Sequence, residues 1–392
     1  MARVTTEKMV AGGDCIAKID GKTVFIPHAV PGETLEIEIT SSKRDYDTAK
    51  IVAVIAASAH RVQPACSYYG VCGGCNMMHI DARFQRTMRT SILADCFIRA
   101  GVAAQTIRVL HGNDLGYRAR FSLHDGGLSG KNSNTIVPVE RCVCATDEVN
   151  AWLAATPHAK RQHGTLHVFG DSRVMPRADC ADKTTARVVA AADGDEQVSC
   201  VNSDAASVTI QLCGKKIAFD VRGFFQSNMD MLEKSLGVIC GNFHGKNVLD
   251  MYAGCGTFSC FLADAFEHVT LVERNKDALV FASLNMRGKN YTSYGISGNA
   301  WAARFSAERA FDVAVVDPPR SGMEKTVRDF LCASNIPHIV SVSCNPSTHA
   351  RDVAALVNSG YTLVSLFLLD FYPNTSHIES VAVLKKISFT DV

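Results

Sequence analysis

A thiol followed by Asn-Pro closes the segment Ser341-Val342-Ser343-Cys344-Asn345-Pro346, and a thiol so placed can act as a nucleophile. The run before it, Ile336 to Val342, has the apolar, β-branched content of a short strand, which Asn-Pro ends abruptly. A cysteine at the carboxyl edge of a parallel sheet faces the crevice where α/β proteins bind ligands. Two other segments converge on that crevice: the glycine-rich turn Asp250-Met251-Tyr252-Ala253-Gly254-Cys255-Gly256 and the acidic strand end Asp317-Pro318-Pro319-Arg320. A nucleophile beside a nucleotide-type site points to covalent group transfer. Alone, Cys344 would read as a buried structural thiol; its company reverses that reading.

In the first βα unit a strand leads into Ala253 to Thr257 and then a helix. Glycines there let the backbone approach a ligand, and the helix amides face it. Glu273 ends the second strand, where an acidic side chain can bind both ribose hydroxyls. Together the two favour an adenosine-containing cofactor. NAD sites carry a third glycine where Phe258 and Ser259 stand, whereas S-adenosylmethionine (SAM) tolerates the shorter turn. Two prolines stiffen the exit after Asp317 and fix where its carboxylate points, toward the cofactor's amine or the substrate.

Cys66-x5-Cys72-x2-Cys75, with Gly73 and Gly74 permitting a tight wrap, has the spacing of a metal site. A fourth thiolate would come from Cys142 or Cys144. Spacing alone does not separate a four-thiolate zinc site from an iron–sulfur cluster, but it argues against the C-x3-C-x2-C pattern of radical-SAM sites.

These groups need a sizeable scaffold. The 392 residues, 47% hydrophobic and 20% charged, suit a globular chain of two or three domains. Net charge is +1, but residues 1–120 hold 15 Lys/Arg against 11 Asp/Glu, a weak pointer to an N-terminal nucleic-acid surface. No apolar run approaches the roughly 18 residues of a membrane span. No secretion signal is visible at the start, so the 15 cysteines argue against a disulfide framework and for a cytoplasmic protein. Residues 1–57 read as an all-β, OB-like barrel with turns at Gly12-Gly13, Asp20-Gly21 and Pro31-Gly32, and Lys43, Arg44 and Tyr46 in one loop. A helix is predicted over 81–100, with Arg83, Arg86 and Arg89 on one solvated face. The region 102–222 is mixed and strand-rich, its clearest piece a hairpin from Ser207 with its turn at Gly214-Lys215. From about residue 229 helix and strand alternate (helix 229–241, strand 247–251, helix from 257, strand 268–272, helix 277–287, strand 311–317), as in a doubly wound parallel sheet.

Together these residues resemble the RNA 5-methyluridine (uracil-C5) methyltransferases, over nearly the whole chain. The resemblance implies an α/β fold with three parts: a TRAM barrel at 1–57, a central domain with an iron–sulfur loop at 58–222, and a Rossmann-like SAM methyltransferase domain at 223–392. It implies a [4Fe-4S] cluster on Cys66, Cys72, Cys75 and Cys142, the last matched better than Cys144 through Val-Pro-Val-Glu-Arg-Cys142. Phe224-Phe225-Gln226-Ser227-Asn228 matches the family's F-x-Q-x-N segment, which makes Gln226 a SAM contact. Tyr252, Thr257, Glu273, Asn299 and Asp317 fall at its other SAM positions, Thr257 standing where relatives often carry Asn. Ser343-Cys344-Asn345-Pro346 with Ala350-Arg351-Asp352 matches the nucleophile motif, and Phe371 to Ser380 the segment whose glutamate, Glu379, is the base. The implied reaction moves a methyl group from SAM to C5 of a uridine, through addition of Cys344 to C6. The expected partner is RNA, with 23S ribosomal RNA first and the T loop of transfer RNA second, and the expected state a monomer. A cytosine-C5 enzyme and a non-catalytic RNA-binding iron–sulfur protein are the competing readings; Cys344, Glu379 and a full cofactor set argue against the binder.

Overall fold

The computed structural model describes residues 1–103, 106–131, 133–176, 186–193, 206–305, 307 and 310–387. The chain forms two compact units. One comprises Met1–Leu93, Leu128–Val137 and Tyr372–His377, the other Ala94–Gly127, Pro138–Phe371 and Ile378–Val392.

In the first unit six strands form one sheet in the order Ala2–Thr5, Thr34–Ser42, Tyr46–Ala56, Lys22–Ile26, Cys15–Ile19, Lys8–Met9. Alternation drives it: Leu35 and Ile37 are fully buried while Glu36 and Glu38 face outward. Lys22–Ile26 runs parallel to Tyr46–Ala56, so the sheet is mixed rather than a plain meander. Buried Glu33 accepts from Val30 N at 2.9 Å and from the Arg61 guanidinium at 2.5 and 2.6 Å. Burial would raise its carboxyl, but Arg61 and two backbone amides outweigh that and hold it below the usual carboxylate range. Tyr46 is not a loop residue: it opens a strand and packs edge-on against Phe25 at 5.4 Å. The helix Ala82–Arg99 also departs from expectation, since Arg89 is 1% exposed and donates to Tyr372 O at 3.2 Å. The inward face carries Gln85, Met88, Arg89, Ile92 and Leu93, and helical spacing puts position 89 among them.

The second unit is built on an eight-stranded sheet in the order Tyr291–Tyr294, Phe266–Val272, Gly245–Met251, Val313–Val316, His338–Ser343, Glu379–Lys386, Tyr361–Leu369, Ile107–Leu110. The first five are parallel, and Val313 to Val316 are all buried, as a strand covered on both faces requires. The expected doubly wound parallel sheet therefore holds with one departure: Glu379–Lys386 is antiparallel to both its neighbours. Strand order reverses between Gly245–Met251 and Val313–Val316, the topological switch where such sheets bind ligands. A three-stranded sheet (Val188–Ala192, Thr165–Gly170, Arg120–His124) and the hairpin Ser207–Leu212/Lys215–Asp220 complete this unit. The hairpin turns at Cys213 and Gly214, both with positive φ (44° and 81°), one residue earlier than expected. Among the described residues no helix is long and apolar enough to cross a membrane.

Candidate functional site

The carboxyl edge of the large sheet gathers the predicted residues. Register pairs Met251 with Val272 and Val316, so Tyr252, Glu273 and Asp317 leave their strands side by side. On the next strand Ser343 is paired with Ser380 in antiparallel register, which makes Cys344 and Glu379 the next residues outward. The reversed strand explains how a glutamate that begins a strand reaches the edge where the others end. Beyond Cys344, Asn345 caps the helix Pro346–Asn358, accepting from Ser347 N at 3.0 Å, a contact worth about 1 kcal/mol. From that helix His349, 1% exposed, bonds Ser380 Oγ at 2.7 Å.

Four ionisable groups share this corner. Burial pushes the Cys344 thiol up; Glu379 and Asp317 push the same way, and an Arg320 side-chain hydrogen bond opposes them. Glu379, 5% exposed, lies well above the usual carboxylate range because it is buried and faces Asp317, with Arg320 in opposition. Burial raises Asp317 as well. Two carboxyls so close in a dry site hold protons that solvated ones would lose. Arg320 is the residue that carried no assigned role in the sequence; its only signal was a position three residues after Asp317, across the two prolines.

The cofactor side is organised by backbone. Tyr252, Gly254 and Gly256 all have positive φ (66°, 55° and 77°), so the turn bends sharply three times. A Cβ on Gly256 would stand 3.1 Å from Ala282 Cβ, so only glycine suits both the conformation and the space. Thr257 opens the helix Thr257–Leu262, its Oγ1 3.4 Å from Cys255 Sγ. Glu273 accepts from Gly254 N at 2.9 Å and Asn275 N at 2.5 Å, which aims its carboxylate along the turn. Glu324, seven residues past Asp317, carried no sequence signal. It accepts from Tyr252 Oη at 3.4 Å and Asn299 N at 3.0 Å, joining two expected SAM positions. Buried Asp250 takes a 2.5 Å bond from Ser259 Oγ, and burial still lifts its carboxyl to about 7. Gln226 lies between stacked Phe225 (3.7 Å from Phe219) and Asn228, which caps the helix Met229–Ile239 and donates to Phe371 O at 3.1 Å.

Three of the four predicted metal cysteines lie in the first unit and the fourth in the second. Cys66, Cys72 and Cys75 are half-buried in one loop of the first unit, closed by Tyr69 N to Cys66 O (3.1 Å) and Cys72 N to Tyr68 O (2.9 Å). Gly73 donates to Ser129 O at 3.0 Å, and a Cβ there would meet two backbone oxygens at 3.1 Å. Cys142 belongs to the other unit; a hydrogen bond with Cys144 draws its thiol down to about 6 despite burial. Among the described residues no group of three or more His, Cys, Asp or Glu is gathered as metal ligands. The donor chemistry of the loop, three soft thiols on a glycine wrap, does suit zinc or an iron–sulfur cluster.

The chain is similar to known proteins. The family model for tRNA (Uracil-5-)-methyltransferase matches residues 178–387 and that for the TRAM domain residues 2–52. An uncharacterized RNA methyltransferase of Treponema denticola is 34% identical, with 98% of each chain covered. The 23S rRNA (uracil(1939)-C(5))-methyltransferase RlmD of Haemophilus parainfluenzae is 29% identical, with 97% of each covered. Among solved structures, the Pyrococcus abyssi tRNA (uracil-54, C5)-methyltransferase with S-adenosyl-L-homocysteine superposes with a TM-score of 0.74. It is 20% identical over 98% of this chain and 100% of that one, a likeness of fold.

Proposed function

This chain belongs to the tRNA (uracil-5-)-methyltransferase family and is a SAM-dependent RNA uracil-C5 methyltransferase; on that premise we propose that its substrate is a uridine of 23S ribosomal RNA. The carrying observation is the pairing of Cys344 with Glu379 at the carboxyl edge, one residue beyond the Ser343/Ser380 register. Support for ribosomal RNA comes from relatives named for 23S rRNA, 27–29% identical over 95–98% of this chain. A transfer-RNA substrate is the second reading, favoured by the fold-level likeness to the Pyrococcus enzyme.

Uracil C5 is too poor a nucleophile to take a methyl group unaided. Cys344 Sγ adds to C6, and the electron pair released makes C5 carbanion-like. SAM, when bound, supplies an electrophilic methyl group for that carbon. Glu379 then takes the C5 proton, the C5–C6 double bond re-forms, and the thiolate leaves. Arg320 opposes the two carboxyls around Cys344 and so favours the thiolate. Asp317 orients the uracil, while Gln226, Tyr252, Thr257, Glu273 and Asn299 hold SAM along the glycine turn. The target base must leave its stack to enter. The barrel at 1–57, the central region 58–222 and the catalytic region 223–392 are taken as its working parts, in a cytoplasmic monomer.

Incubation with methyl-labelled SAM and total RNA lacking 5-methyluridine tests the substrate. Label is expected at a uridine C5 of 23S rRNA; label in transfer RNA would favour the second reading, and label on cytosine would overturn the uracil assignment. The cysteine loop carries a further expectation: Cys66, Cys72, Cys75 and Cys142 hold a [4Fe-4S] cluster. Anaerobically purified protein is then expected to contain iron and acid-labile sulfide in equal amounts, lost in Cys75→Ser. Zinc in their place would refute the cluster.

A further inference from the structure

The loop that leaves the strand Val313–Val316 carries Asp317, Arg320 and Glu324, so it serves both sides of the site. Arg320 hydrogen-bonds the Cys344 thiol through its side chain. Glu324 begins the helix Lys325–Ala333 without capping it; its carboxylate turns instead to Tyr252 Oη and Asn299 N. A Cβ on Gly298 would stand 2.8 Å from Glu324 Oε2, so that carboxylate is seated tightly against the cofactor side. Within the loop itself one turn is closed by a backbone bond, Gly322 N to Pro319 O at 2.8 Å.

Most of its remaining fastenings come from the helix Pro346–Asn358 and its cap, directly after the nucleophile. Arg320 O accepts from Asn345 Nδ2 at 3.1 Å and from Thr348 Oγ1 at 3.2 Å. Ser321 O accepts from Arg351 Nη2 at 3.1 Å. Asp352, buried in the same helix, accepts from Met323 N at 2.7 Å, while its other oxygen takes Arg328 Nη1 and Arg351 Nε, both at 2.9 Å. A buried carboxylate is tolerated only with such partners. Gly322, with φ 80°, lies flat against this helix. A Cβ there would fall 2.5 Å from both Arg351 Nη2 and Asp352 Oδ2, so only glycine lets the loop approach.

We propose that Thr348 and Asp352 are positioning residues that clasp this loop onto the nucleophile's helix, Thr348 placing Arg320 beside Cys344 and Asp352 placing Glu324 beside Tyr252 and Asn299. Their spacing of four residues puts both on one helix face. The inference rests on Cys344 being the nucleophile and on Tyr252 and Asn299 holding SAM, and it divides the loop's two duties. Arg320 favours the thiol's anion against burial, Glu379 and Asp317. Misplacing it therefore makes the thiol less reactive, whereas a general loosening would hydrate the thiol and make it more so. Misplacing Glu324 acts on the cofactor instead, through the two SAM contacts it joins.

The test uses the full-length protein and two readouts that need no RNA. One is calorimetric SAM binding; the other is the pH profile of Cys344 alkylation by iodoacetamide, followed on its own peptide by mass spectrometry. Thr348→Val keeps the volume and removes the hydroxyl. Its alkylation midpoint is expected to move up, with slower alkylation near neutral pH, while SAM affinity stays within about twofold of wild type. Asp352→Ala is expected to weaken SAM binding about tenfold, the scale of one lost bond to a charged group. Should it not fold, Asp352→Asn, which keeps the volume and gives up the pairing with Arg328 and Arg351, reads the same weakening. An unmoved or lowered midpoint in Thr348→Val, or wild-type SAM affinity in a folded Asp352 variant, overturns the proposal. Arg320→Met and Glu324→Gln expose a failed premise separately: if the first leaves the midpoint in place, or the second leaves SAM binding in place, that half of the clasp has nothing to position. Turnover by Cys344→Ala would instead sink the nucleophile reading, a result seen in a different variant and assay.

Discussion

Cys344→Ala is expected to abolish methyl transfer, by at least about 10⁴-fold, while SAM binding stays within about twofold of wild type. Loss of a covalent nucleophile acts on that scale because no other group takes over its step. The proposed cofactor contacts lie along Tyr252–Thr257, Glu273 and Asn299, organised by their own backbone bonds and by Glu324, none of which passes through the thiol. The companion measurement is a 5-fluorouridine RNA, which carries no removable C5 proton and should trap wild type as a stable adduct. The alanine variant should form none. Appreciable turnover by Cys344→Ala would eliminate the covalent route, whereas loss of both turnover and SAM binding would show that the substitution damaged the fold.

The parts of this site that were legible before any coordinates were those that local chemistry dictates. A glycine turn at Gly254 and Gly256 announces itself because positive φ and close packing against Ala282 admit no side chain. The strand before Cys344 is visible because a buried parallel strand is a continuous apolar run stopped by Asn-Pro. Long-range pairing was not legible. Nothing local to Glu379–Lys386 states that it runs antiparallel between His338–Ser343 and Tyr361–Leu369, yet that reversal is what brings Glu379 to Cys344. Charge pattern misled at Arg89, since a three-residue spacing of arginines looks solvated unless the neighbouring apolar positions are counted; Met88, Ile92 and Leu93 claim that face for the core. Glu324 was invisible because its partners, Tyr252 and Asn299, lie dozens of residues away. Gln226, Tyr252, Thr257 and Asn299 were assigned to the cofactor through resemblance to a family, not through spacing.

Glu379→Gln is expected to separate the two halves of the reaction. Cys344 still adds to C6 and C5 still receives the methyl group, but the C5 proton has no acceptor. Turnover should fall about 10²–10⁴-fold, the usual contribution of a positioned base, while the first methyl transfer proceeds. The methylated RNA should then remain bound through sulfur and survive denaturation. The pH dependence follows from the same groups with a fixed sign. Cys344 and Glu379 both sit above their ordinary ranges, chiefly through burial, and both must be deprotonated to act. Wild-type turnover should therefore rise with pH across the neutral range, on an acid limb displaced upward from that of a solvated carboxylate. In Glu379→Gln the carboxylate's share of that limb disappears and the thiol loses a like-charged neighbour that raised it. Adduct formation in the variant should accordingly reach its plateau at lower pH than in wild type. A variant that turns over at the wild-type rate, or whose adduct forms with an unshifted profile, would remove Glu379 from the proton path and leave Asp317, its buried neighbour, as the group to test in its place.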